Sequence, residues 1–107
     1  MATYTPDNSI IRQGDYASKT IKAGQTFSVL TPLMLDSTET TSLVVWDGTP
    51  GNEVYLSACE VDALVVNTDK AVITNGIYRI SSINWPSGLT DAQKRAAFTG
   101  TAISVDE

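Results

Sequence analysis

The 107-residue chain suits a single domain, and 42% hydrophobic residues support one ordinary core. Seven Lys and Arg against twelve Asp and Glu leave a net charge of -5, with a pI near 4.4. Such a chain repels a phosphate backbone and an anionic membrane surface, which argues against nucleic-acid and membrane partners.

Residues 1–19, "MATYTPDNSIIRQGDYASK", are polar and lack periodicity, with Ile10-Ile11 as their one apolar pair. They are read as a flexible arm preceding a β-rich domain over 20–107. After a turn at Ala23-Gly24-Gln25, Phe27 and Val29 alternate with Thr26 and Ser28, predicting a half-buried strand over Thr26–Leu30. Pro32 cannot donate to a ladder, so "PLMLD" is an edge, a strand start or a loop under the core. Leu43 to Trp46 is an apolar run of β-forming type, which suits a strand covered on both faces. Asp47-Gly48 then supplies turn chemistry, prolonged by Pro50-Gly51-Asn52. Trp46 thus ends a strand, with its ring expected over the core edge.

"KAVITNGIYRI" carries Asn75-Gly76 between two β-rich runs, the composition of a two-residue hairpin. Its register would pair Ile73 with Tyr78 and Ala71 with Ile80 on one face. Thr90 and Gln93 form a capping box ahead of "DAQKRAAF", with Asp91 in the first turn and Gly100 where a stop is expected. "TAISV" reads as a last short strand. The sum is a mainly β domain with one short C-terminal helix.

The chain has no histidine, and Cys59 is its single cysteine. A cysteine nucleophile would lack its base, so Cys59 reads as a small buried or half-buried thiol. Only carboxylates remain as metal ligands. Neither "DNS" at 7–9 nor "DGTPGNE" at 47–53 has the alternating acids of a calcium loop, so no metal or cofactor is expected. Asp36, Asp47, Glu53, Glu60 and Asp62 fall at predicted strand ends or loops, where solvated acids ordinarily sit. With no nucleophile elbow, phosphate loop or dinucleotide fingerprint, the chain does not read as an enzyme. No basic region precedes an apolar run, and no stretch of about 18 apolar residues occurs, so no signal for leaving the cytoplasm where it is made is read.

Several stretches, in order, resemble the head decoration proteins of lambdoid tailed phages. "TPLMLD" (31–36) carries Thr31, Pro32, Leu33 and Met34; "LVVWDGT" (43–49) carries Trp46, Asp47 and Gly48. "NGIYR" contributes Gly76, "NWP" contributes Trp85 and Pro86, and "KRAAFTGTAIS" (94–104) contributes Phe98 and Gly100. Residues 1–20 match only as a polar arm of comparable length, 50–74 match loosely, and "SGLTDAQ" differs in detail. The resemblance implies a β-clip-like bent ribbon or incomplete barrel. It also implies a homotrimer on the outer surface of the phage head, bound to the major capsid protein and stabilising the expanded shell against packaged DNA. Asn8, Ser9, Ile10, Ile11 and Arg12 are the arm residues expected to contact the capsid by strand addition. Two other functions compete. A carbohydrate-binding module would expose Trp46 and Trp85, and a tail or baseplate accessory protein would bind tails rather than heads.

Overall fold

The structure, a computed structural model, describes residues 10–49 and 51–106, with side chains from residue 14 onward. The fold is mainly β with one short helix, as expected. The strands are β1 (Ile10–Gln13), β2 (Tyr16–Ile21), β3 (Pro32–Leu35), β4 (Leu43–Val45), β5 (Glu53–Ser57), β6 (Thr68–Ile73), β7 (Gly76–Arg79) and β8 (Ile103–Asp106). A 3-10 turn spans Ile80–Ser82, and helix α1 covers Asp91–Ala96.

Five strands close into a barrel in the order β2-β4-β3-β5-β6. The longest seam is antiparallel, β2 against β6, from Tyr16↔Ile73 through to Ile21↔Thr68. Closure is narrower: β2 meets β4 in parallel at Ile21↔Leu43, supported by the Lys22 amide donating to the Leu43 carbonyl at 3.0 Å. Pro32 opens β3, where a missing N–H is tolerated, so the strand-start alternative holds. Ile21, Phe27, Leu33, Leu43, Val61 and Val72 form the barrel's apolar cluster. Strand pleating sends Val72 to this cluster and its neighbour Ile73 to a second one.

That second cluster contains Leu30, Trp46, Leu56, Ile73, Tyr78, Ile83, Ala97, Phe98 and Ile103. The segment after α1 and a three-stranded sheet, β1-β7-β8, contribute to it. Within this sheet β1 runs antiparallel to β7, with a register shift between Ile10 and Arg12, and β8 runs parallel to β7. β8 is the strand expected from "TAISV".

Three expectations need correction. The hairpin at Asn75-Gly76 does not form: β6 pairs with β2 and β5, whereas β7 pairs with β1 and β8. Both edges of each strand are occupied, so Tyr78 faces Ile10 and Val105, and Ile73 faces Tyr16 and Leu56. Asn75 is instead a bracket between the barrel and the second sheet. Its Oδ1 accepts the Asp15 amide at 2.8 Å, and its Nδ2 donates to the Asp15 carboxylate at 3.0 Å.

The strand expected at Thr26–Leu30 is a single bridge, Phe27↔Val61. Val29 is exposed there, and Leu30 has a φ of 62°, which leaves β geometry. Lastly, residues 10–13 and 16–19, read as arm, are paired strand residues of β1 and β2. A half-exposed strand rich in Ser, Lys and Thr has little apolar signal; its pairing with β6 defines it. The rest of the arm, including Asn8 and Ser9, lies outside the described residues.

Candidate functional site: the tryptophan shelf and the 47–53 loop

Trp46 leaves β4 with its amide bonded to the Pro32 carbonyl at 2.9 Å. Its indole is 3% exposed, and Nε1 donates to the Thr49 carbonyl at 2.8 Å. Asp47 turns the chain as expected: its carboxylate accepts the Thr49 amide at 2.9 Å, and Gly48 takes a φ of 92°. The Thr49 backbone donor, followed by the Thr49 side chain, holds the Asp47 carboxyl below its ordinary value.

Trp85 is half-buried beside it, with ring centroids 6.4 Å apart in an edge-on arrangement, and Phe98 continues the stack at 6.3 Å. The Trp85 Nε1 donates to the Ile80 carbonyl at 2.8 Å. Both indole N–H groups are therefore spent within the fold. With Trp46 buried, a sugar platform of two exposed rings does not form.

Most motif residues converge here. The Asn84 side chain donates to the Thr31 hydroxyl at 3.0 Å, and its amide to the Leu30 carbonyl at 2.9 Å, tying the Thr31-Pro32 segment to the Trp85-Pro86 element. A Cβ on Gly48 would meet Leu89 at 3.7 Å and Pro86 at 3.8 Å, so the 47–49 turn lies against the segment leading into α1. Met34 packs half-buried against the same cluster. Three motif residues lie elsewhere. Leu33 belongs to the barrel cluster, Gly76 starts β7 opposite Ile103, and Gly100 follows the helix with a φ of 90°. Ile10, Ile11 and Arg12 form β1, at the edge of the three-stranded sheet.

The capping box of α1 forms in full, with Thr90 bonded to the Gln93 amide at 3.2 Å and Gln93 reaching back to the Thr90 amide at 2.8 Å. The helix stops at Ala96, short of Phe98. Phe98 adopts a φ of 63°, and its amide donates to Glu53 Oε1 at 3.0 Å. Glu53 departs from expectation: it is 4% exposed, so it is no solvated loop acid. Its partner lies 45 residues away along the chain, and no local pattern announces the contact. Asp36 is half-buried rather than freely solvated, and its carboxylate pairs with Lys22 at 3.1 Å. Cys59 is half-buried, as expected.

Trp46, Gly48, Gly51, Glu53, Leu89, Gln93, Ala96 and Ala97 line a pocket of about 110 Å³ between the 47–53 loop and α1. Pro50, expected in this loop, lies outside the described residues.

A family model described as bacteriophage lambda head decoration protein D matches residues 10–105. A putative decoration protein of Escherichia phage N15 is 42% identical over 78 residues, 71% of this chain and 68% of that protein. A head decoration protein of Enterobacteria phage P21 is 36% identical over 78 residues, covering 70% of this chain and 64% of that protein.

Proposed function

Because this chain belongs to the bacteriophage lambda head decoration protein D family, we propose that it binds the outer surface of the expanded phage head as a homotrimer. There it stabilises the shell against the pressure of packaged DNA. The observation that carries this reading is the family match over residues 10–105, which takes in the barrel, the tryptophan shelf and the second sheet together. The family's description and the name of the phage P21 relative point to heads, which favours this reading over a tail accessory protein. The role is mechanical rather than catalytic, and the partners are further copies of the chain and the major capsid protein.

In physical terms, three copies held together present three attachment segments at high effective concentration. Modest contacts per copy then gain about 10²- to 10⁴-fold in avidity. The shell is stabilised only by as much as the trimer prefers the expanded lattice over the unexpanded or dissociated one.

The attachment segment runs from residue 1 into β1, with Asn8, Ser9, Ile10, Ile11 and Arg12 as its contact residues. β1 pairs with β7 on one side, and among the described residues no strand pairs with its other side. A capsid strand added there would gain main-chain hydrogen bonds, with alternate side chains reading pockets. Removing residues 2–9 should leave melting intact and weaken capture by expanded heads at least tenfold, about 1.4 kcal/mol. Unchanged capture would move the contact to the globular face. Native mass spectrometry at assembly concentrations should return trimers, and single copies spread evenly over decorated heads would contradict the trimer.

A further inference from the structure

Glu53 carries an unsettled polar atom. Its Oε1 accepts the Phe98 amide, but Oε2, also shielded from water, has no hydrogen-bond partner among the described residues. A carboxylate has about four acceptor positions, and a buried one left half-bonded needs a reason. Glu53 also lines the pocket beneath α1. Two other polar atoms of the pocket's lining side chains are engaged within the fold: the Trp46 indole N–H donates to the Thr49 carbonyl, and Gln93 Oε1 accepts the Thr90 amide. The remaining walls are Gly48, Gly51, Leu89, Ala96 and Ala97. The pocket thus offers one free acceptor on an acidic side chain, set among apolar surfaces and an indole.

We propose that this pocket is a binding site for a primary alkylammonium group, whose N–H donors engage Glu53 Oε2 while its short apolar stem lies against Trp46 and Leu89. A cationic donor satisfies the buried carboxylate in charge and in hydrogen bonding together, which a neutral ligand does not. About 110 Å³ is far below the roughly 300–1,000 Å³ of drug-sized sites, so the ligand is small or is the tip of a side chain. A free amine and the lysine side chain of another polypeptide share this chemistry.

The test is an NMR titration of the whole ¹⁵N-labelled protein, following the Phe98 amide and the Trp46 indole N–H. The probes are n-butylammonium, Nα-acetyl-lysine amide and, as the uncharged control, n-butanol. Saturable shifts at both reporters are expected from at least one ammonium probe, at least tenfold tighter than from butanol. If both ammonium probes bind, the site takes free amines; if only the lysine derivative binds, it takes a polypeptide side chain. Glu53→Gln should weaken ammonium binding at least tenfold. Should that variant fail to fold, Ala96→Leu narrows the pocket without touching either Glu53 contact and should weaken binding similarly. Shifts that do not saturate, or that butanol reproduces equally, would overturn the proposal.

Discussion

The barrel and the second sheet are built from strands of similar length by opposite rules. Barrel strands β3, β4 and β5 join neighbours that lie close in the chain, and their apolar residues advertise themselves. The three-stranded sheet joins β1 from the beginning of the described chain, β7 from its middle and β8 from its end. Its register depends on partners that no local pattern contains. Asn75-Gly76 stands at the border between the two regions. Its hairpin chemistry is real, but four other strands take the hydrogen bonds that a hairpin would use. Local turn preference amounts to little beside two fully paired strands.

The largest expected effect separates the two regions at the N-terminus. Deleting residues 2–19 removes β1 and four of the six residues of β2, opening the longest seam of the barrel. Cooperative thermal unfolding should vanish, whereas deletion of 2–9 should retain it. If both truncations melt like the full chain, β2 is dispensable and the barrel assignment fails.

Trp46→Ala comes next, since this ring links the end of β4 to the second cluster. It should cost about 3–5 kcal/mol in denaturant melts, the range for emptying a large aromatic site. A loss below about 1 kcal/mol, with already water-like Trp46 fluorescence, would return the ring to the surface.

Asn75→Gly distinguishes a bracket from a hairpin turn. Glycine keeps any turn conformation but deletes both bonds to Asp15, so a loss of about 1–2 kcal/mol is expected. A neutral or stabilising result would favour turn chemistry as the residue's role.

The smallest effect is the acid limb of the barrel's stability. Asp36 accepts the Glu39 amide, the Lys22 ammonium and the Thr38 amide, and these, the Glu39 bond foremost, lower its pKa from 3.8. A carboxyl with a depressed folded value adds stability that is present above pH 3.8 and is lost as pH falls through its folded value. Asp36→Asn should make the stability profile shallower below pH 4 and leave its slope near pH 7 unchanged. Identical acid limbs would assign the loss to other carboxylates.

Legibility in the sequence followed how local each cause was. The strand at Leu43, the Asp47-Gly48 turn, the capping box at Thr90 and the final strand each rest on residues within a few positions. All four stand where expected. At Thr26–Leu30 the alternation was present, but the left-handed Leu30 and the lone bridge to Val61 ended the strand before it formed. β2 was hidden by its polar exposed face and became a strand through β6. Glu53 was hidden more deeply, because an acid at a strand's start with a buried partner 45 residues away resembles any solvated acid in sequence. The motif residues around Trp46, Trp85 and Phe98 were legible as a resemblance, and only the fold shows that they share one stack.

Capsid binding is tested most directly by co-sedimentation of the full-length protein with purified expanded and unexpanded heads over a range of protein concentrations. A decoration protein that stabilises the expanded shell should saturate expanded heads and bind unexpanded ones at least tenfold more weakly. Equal binding to both, or binding to neither, would contradict a role in holding the expanded lattice.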